Sequence, residues 1–315
     1  MTAGTPDLAI VVGTHNRMAD LQQLLDSVEA QTRTPFEIHV CDAGSTDGTV
    51  DWLHERATHD GRLRPVFDGE RRGQATALNA IFRRLTTRWT CWLSDDNIVV
   101  NGGLDIAVQA LSADPGLGMV GLKVRDLSGP FATAPYIGGI TATGVLNINQ
   151  GMLPTALLQD LGGFSETFGD YGIDADLTTR VLLAGRSVAM TRAVCLHHNR
   201  SWAAPDTPEG IRLAERNGRY KALYMQIYKP LLGVSPSWVL RRLAWKALRL
   251  AAPGVLSLDA AGTLGGRPVR DWHNMIAGRF ISLRQELRHP ESPIHLVQRC
   301  PPDLVRPAQA KPAAR

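Results

Sequence analysis

The apolar residues of this chain come first as continuous runs and only then as periodic ones. LAIVVG, ending near Thr14, FEIHVC, ending at Asp42, and WTCWL, ending at Ser94, are each long enough for one strand buried on both faces. Between them the period changes. MADLQQLLDSVEAQ places Leu21, Leu24, Leu25 and Val28 at helical spacing, and STDGTVDWLHERA reads as a helix with Ser45 or Thr46 as its N-cap. Residues 65–68 (PVFD) predict a short third strand. RRGQATALNAIFRRL predicts a helix entered through Gly73. Further on, LDIAVQAL reads as a helix and GMVGLKV as a strand. Asp174 and Asp176 open an amphipathic helix carrying Leu177, Val181 and Leu182, and SVAMTRAVCLHH is a strand ending at His197 and His198. Two βα units within fifty residues predict an α/β fold, doubly wound, with a mostly parallel sheet flanked by helices.

In such sheets ligands collect at the carboxyl ends of strands. Thr14, Asp42, Arg72 and the pair Asp95/Asp96 fall along that edge, and so do the two histidines. Adjacent carboxylates repel unless a positive charge stands by. They are read here as the holders of a hard cation with a phosphate on it, against the plainer alternative of a solvated Asp-Asp-Asn turn. Arg71 and Arg72 at a helix mouth suit phosphate oxygens, or are simply solvated.

With 315 residues, of which 44% are hydrophobic, the chain suits one large α/β domain with an elaboration, or two small domains. The net charge of +4 conceals a split. Residues 1–200 carry 16 Lys and Arg against 22 Asp and Glu, whereas residues 201–315 carry 18 against 8. The second part therefore faces something anionic. No zinc-finger spacing or aromatic-rich RNA signature accompanies it, and no nucleic acid is expected. Cys41, Cys91, Cys195 and Cys300 are scattered without a CxxC and read as buried free thiols in a reducing cytosol. Neither a leader pattern nor eighteen uncharged apolar residues in a row occurs, so the expectation is a cytoplasmic protein, soluble or peripheral on the inner membrane face.

The basic part predicts helices. In SWVLRRLAWKALRLAAP, Leu240, Leu243, Ala247 and Leu250 form one face, with Arg241, Arg242, Lys246 and Arg249 opposite and Trp238 and Trp245 at the polar side. Residues 237–252 thus read either as an interfacial helix on an anionic membrane surface or as a helix packed on the rest of the protein. Residues 266–287 predict another helix, and residues 301–315 a disordered tail. SGPFATAPYIGGITATG before them is a loop facing substrate or free to move.

Taken together, VVGTHNR, CDAGSTDGT, RRGQATALNAIF and WLSDDN resemble, in order and spacing, an inverting glycosyltransferase of the family-two group with a GT-A type nucleotide-sugar fold. GGF with Glu166, then Asp174 to Leu177, Arg180 and Ala184-Gly185 extends the likeness. The resemblance implies a catalytic domain over 1–208, divided into a nucleotide-binding half (1–100) and an acceptor half (101–208), then a helical basic extension over 209–300. It implies Thr14 and Asp42 at the nucleobase and Arg72 at the nucleotide. Asn16 and Arg17, within VVGTHNR, fall in the same nucleotide set. Asp95 would hold the ribose and Asp96 the metal on the diphosphate, with His197 or His198 completing the shell; His197 is slightly favoured. The cofactor would be Mn²⁺ or Mg²⁺. Asp174 would be the general base. Two departures stand out: Ser94 replaces the first Asp of Asp-x-Asp, and Ile173 replaces a Glu. The donor implied is a nucleoside-diphosphate sugar, UDP first, and the acceptor a hydroxyl on a glycan, a lipid-linked sugar or a small natural product. Nucleotidyl transfer to a sugar phosphate is an alternative, weakened by the missing Gly-rich loop after the first strand. A decayed, non-catalytic nucleotide-sugar or membrane-associated binder is another.

Overall fold

Strand β1 (Leu8–Thr14) is the axis of the structure. It pairs in parallel with β2 (Phe36–Asp42) on one side and β4 (Trp89–Ser94) on the other, and β3 (Leu63–Phe67) lies outside β2. The computed structural model describes residues 6–234 apart from 134, 137–138, 201–202 and 204–205. It also describes residue 243, a short pair of strands at 263–264 and 267–268, and residues 284–306.

The unbroken apolar run of β1 has a direct cause. Leu8, Ile10 and Val12 pack into one core with Leu21, Leu24 and Val28 of α1 (Met18–Gln31) and Leu104 of α4 (Gly103–Ala113). Ala9 and Val11 pack into a second core with Leu78 of α3 (Gln74–Phe82) and Leu177 of α6 (Ile173–Leu183). A strand covered on both faces has no polar side to alternate with. α1 and α2 (Thr49–His59) step the chain outward from β1 to β3, and α3 brings it back across β1 to β4. The reversal opens a crevice at the carboxyl ends of β1 and β4, the place where such folds bind ligands.

Beyond β4 the sheet becomes mixed. Antiparallel β7 (Gly151–Pro154) is followed by β6 (Leu117–Asp126), β8 (Ser187–His198), β12 (Ile294–Arg299) and β11 (Arg284–Leu287), giving the order β11-β12-β8-β6-β7-β4-β1-β2-β3. β5 (Asn97–Val99) pairs antiparallel with the end of β8, Asn97 opposite His198, and so folds the chain after Asp96 back against the histidines. α5 (Thr155–Asp160) and α7 (Pro208–Leu232) complete the elements that bear on the site.

Three expectations change. The helix read over 266–287 ends as a strand, β11, paired with β12 against the outer edge of β8, while β9 (Thr263–Leu264) and β10 (Arg267–Pro268) pair with each other. A bare twelve-residue edge strand demands backbone partners, and that demand outweighs the local helical spacing. The tail is placed as far as residue 306, where Arg306 N–H donates to Leu183 O at 2.7 Å. Cys41, Cys91 and Cys195 are buried free thiols, but Cys300 is only partly covered. The amphipathic segment 237–252 lies outside the described residues, save for Leu243.

Candidate active site

The carboxyl edges of β1, β2 and β4 are in register, Thr14 opposite Asp42 and Gly13 opposite Ser94. Thr14 Oγ1 therefore reaches across to donate to Asp95 Oδ2 at 2.9 Å. Arg17, one turn beyond β1, places Nη1 3.3 Å from Asp95 Oδ1 and 2.7 Å from Asp96 Oδ2, bridging the two carboxylates. Burial pushes Asp95 up to about 6 against the pull of Arg17. Burial also works against Asp96, but His198 and Arg17 outweigh it and hold that carboxyl below its usual range. Asp42 is buried. Its Oδ1 accepts from Gly44 and Ser45 N–H at 2.9 Å, closing the turn after β2, while Oδ2 has no hydrogen-bond partner. Gly44 takes φ +83 because any Cβ there would sit 2.5 Å from Gly69 O, in the loop after β3. Asn16 serves the loops: its N–H donates to Ser45 Oγ and its Oδ1 accepts from Thr46 N–H at 2.7 Å. Arg72 pairs with Asp68 at the mouth of the cleft.

The histidines separate by strand alternation. His198 Nε2 lies 3.1 Å from Asp96 Oδ1, and its Nδ1 lies 3.2 Å from Asp126 Oδ1. His197, on the opposite face of β8, makes no such contact with Asp96, so the slight preference for His197 gives way to His198. Behind His198, Tyr136 OH donates to Asp126 Oδ1 at 2.6 Å and lies 3.2 Å from His198 Nδ1. Burial opposes charge on this imidazole, yet Asp126 and Asp96 together lift it to about 9. Asp126 ends β6 at the same sheet edge as Asp42 and Asp95, so the edge argument that picks out those two also covers it. Tyr136 lies in the Gly- and Pro-rich loop, where the sequence carries no periodic signal.

Asp174 stands in the first turn of α6. Burial pushes its carboxyl up to about 6, against hydrogen bonds from backbone N–H groups and from Asn147. The approach to it is rigidly built. Asn79 clamps the GGF loop, its Nδ2 donating to Phe164 O and its Oδ1 accepting from Phe164 N–H, both at 2.8 Å. Gly163 is needed beside it at φ +76, since a Cβ would meet Asn79 Oδ1 at 2.2 Å. Asp170 Oδ1 accepts from Gln74 N–H at 2.6 Å and caps α3. Asp176 is a framework residue: Arg180 Nε donates to its Oδ2 at 2.7 Å, and Tyr228 OH of α7 to its Oδ1 at 2.6 Å.

All of this opens into one cleft of about 570 Å³. Thr14, Arg17, Arg71, Arg72, Asp95, Asp96 and His198 line it together with Tyr171, Asp174, Arg200, Glu209, Leu213 and Arg216. Asn16, Asp42 and His197 are not among its lining residues. A second hollow, of about 350 Å³, lies behind the GGF loop and holds none of these groups.

Asp96 and His198 suit a divalent cation in part. Asp96 Oδ1 is buried without a hydrogen-bond partner and faces an imidazole nitrogen. No group of three or more His, Cys, Asp or Glu converges among the described residues, so the donor set fits an ion shared with phosphate oxygens and not a protein-only cage. An imidazole beside a carboxylate suits Mn²⁺ rather better than Mg²⁺.

A mostly parallel sheet flanked by helices, reversing at β1 and β4, matches the GT-A fold of the structural neighbours. Residues 9–144 match the model of glycosyl transferase family 2. A curated relative, N-acetylglucosaminyl-diphospho-decaprenol L-rhamnosyltransferase of Mycobacterium tuberculosis, is 27% identical over 238 residues, 62% of this chain and 76% of that protein. Among solved structures, the mannosyltransferase PcManGT of Pyrobaculum calidifontis, in complex with GDP-Man and Mn²⁺, is 25% identical. It matches with a TM-score of 0.57, covering 86% of this chain and 84% of the other. TarS of S. aureus, in its 1–349 form, shares the fold at 18% identity with a TM-score of 0.54, over 81% of this chain and 76% of that one. No helix among the described residues is long and apolar enough to cross a membrane.

Proposed function

We propose that the protein is a metal-dependent inverting glycosyltransferase that moves a sugar from a nucleoside-diphosphate donor to an acceptor hydroxyl. The observation that carries this reading is that Asp96, His198 and Asp174 line one and the same cleft. Thr14 serves the nucleobase end of the donor, with Asp42 buried behind Cys41 and Ala43 of the cleft lining, Asp95 serves the ribose, and Arg72 the phosphates. Asp96 and His198 would hold the cation, which when bound screens the charge on the departing diphosphate. Arg17, which bridges the Asp pair, would serve the phosphates beside that cation.

Asp174 takes the proton from the acceptor hydroxyl as its oxygen bonds to the anomeric carbon. The bond from that carbon to the diphosphate oxygen breaks on the opposite face, so configuration inverts. No protonated acid is required, because the leaving group is already stabilised as an anion. A carboxyl near 6 is ionised at neutral pH and still basic enough to accept a proton, the compromise general-base catalysis favours. UDP is the first candidate donor base. The mannosyltransferase neighbour binds GDP-Man, so GDP stands beside it. A lipid-linked acceptor is in keeping with the relative named for transfer onto a diphospho-decaprenol sugar.

The test is a thermal-shift screen of UDP, GDP, dTDP and CDP, each with Mn²⁺, Mg²⁺ or EDTA. At a hundred times its dissociation constant a ligand stabilises the fold by about 2.7 kcal/mol. One nucleotide should stabilise with metal alone, and Asp96→Ala should abolish the shift. If none does, the transferase reading falls.

A further inference from the structure

The cleft that contains Asp174 also holds a cation with a buried donor for which no described residue provides an acceptor. Glu209, Leu213 and Arg216 recur at i, i+4 and i+7 of α7 and so share the helix face that lines the cleft. The Arg216 guanidinium lies 3.3 Å from the ring centroid of Tyr171, three residues before Asp174. Stacking occupies the flat face of a guanidinium and leaves its in-plane N–H donors to find acceptors elsewhere. They find none: Nε is buried without a hydrogen-bond partner, and no carboxylate pairs with Arg216 among the described residues. A buried donor left unmade is costly, and one that lies in a cleft calls for a partner supplied from the cleft. Arg200 adds positive charge to the same wall, while Glu209 at the start of the helix disfavours an anion at that end. By contrast Arg17 pairs with Asp95 and Asp96, Arg72 with Asp68, and Arg180 with Asp176.

We infer that Arg216, held flat on Tyr171, is an anion subsite for the acceptor, and that the acceptor carries a phosphate or diphosphate group close to the hydroxyl that is glycosylated. The inference rests on the transferase reading above, because only that reading makes the surroundings of Asp174 an acceptor site. On that reading the donor diphosphate meets Arg72 and Asp96, so an anion taken up by Arg216 with nucleotide already bound is a second one. A planar, bidentate guanidinium fits phosphate oxygens better than a lysine would, and the stack fixes its edge toward the cleft.

The experiment is calorimetry on the full chain, presaturated with Mn²⁺ and the nucleotide identified by the melting screen. The probes are farnesyl diphosphate, glucose 1-phosphate and, as the uncharged control, farnesol. Farnesyl diphosphate should bind, Arg216→Gln should weaken it at least tenfold, and Arg216→Lys should weaken it less. Tyr171→Ala, which keeps the charge and removes its platform, should also weaken it. Unliganded melting curves of each variant separate this from misfolding. Glucose 1-phosphate binding that disappears in Arg216→Gln would mean that a soluble sugar phosphate supplies the anion, whereas binding of farnesyl diphosphate alone would mean that the lipid-borne group does. Equal binding to wild type and Arg216→Gln, farnesol binding as tightly as its diphosphate, or no binding of either phosphate to a nucleotide-bound wild type each overturns the inference. If no nucleotide binds at all, the failure belongs to the transferase reading. The phosphates are then titrated alone, and the same Arg216 comparison decides.

Discussion

Replacing Asp174 by Asn should separate catalysis from stability in opposite directions. The substitution keeps the shape and the hydrogen bonds from the first turn of α6, and removes only the ability to take a proton. General-base assistance is worth about 10²–10⁴-fold, so turnover should fall by that factor while the KM for the donor stays within a few-fold. The stability effect has the other sign. Folding raises this carboxyl from 3.8 to about 6, mainly through burial, so the native state binds a proton more tightly than the unfolded chain between those values. Stability from this group is therefore fully present below about pH 4 and declines as pH rises through 6. At pH 7.5 the charge is a burden of at most about 3 kcal/mol by the size of the shift, and nearer 1 once the residue's partial exposure to water is allowed for. Asn carries no such burden, so the variant should melt at the same temperature or a few degrees higher. In the wild type, kcat/KM should fall tenfold per pH unit below about 6, and the variant's residual rate should lose that dependence. Release of nucleoside diphosphate, followed across pH 5–9 beside a melting curve, measures all three. A variant that keeps more than a third of the wild-type rate, or one whose inactivity comes with a collapsed melting temperature, would refute the assignment.

Four further outcomes follow from the contacts around the cleft. Asp126→Asn loosens the Nδ1 side of His198 and should weaken Mn²⁺ binding about 10–100-fold, read by electron paramagnetic resonance with nucleotide present and acceptor absent. Unchanged affinity would make Asp126 a packing residue. Arg17→Ala removes the guanidinium that bridges Asp95 and Asp96, so Mn²⁺ alone should bind more tightly and the Mn²⁺–nucleotide pair less tightly; a parallel change in both would contradict a bridging role. Asp176→Ala strands Arg180 and the Tyr228 hydroxyl, and should cost about 3–5 kcal/mol in urea unfolding, whereas a cost below 1 would mean that α7 is not anchored there. Gly163→Ala forces a side chain into φ +76 against Asn79 and should destabilise by more than about 1 kcal/mol; a neutral result would show that the GGF loop yields.

What the sequence disclosed and what it withheld divide along one physical line. β1, β2 and β4 are legible because strands buried on both faces have unbroken apolar runs, and a buried run has one direction and one carboxyl end. Asp42, Asp95 and Asp96 then come together as a consequence of parallel pairing, without any need to see the fold. The histidine pair shows the limit. A strand's alternation says that His197 and His198 face opposite ways, but not which face meets Asp96; β5, three residues folded back on β8, decides that, and nothing local announces it. Arg216 shows a second limit. In the sequence it is one of many cations on a basic helix, and its significance comes from what surrounds it, an aromatic ring against its face and, among the described residues, no hydrogen-bond partner for Nε. The strand β11 is the same lesson turned to architecture, since its conformation answers to the edge of β8, about a hundred residues away in the chain. The part of the site around Asp42, Asp95 and Asp96 is written in segments that specify their own ends. The part around Asp174 and Arg216 is assembled from α6, α7 and a loop, whose side chains acquire their surroundings only from one another.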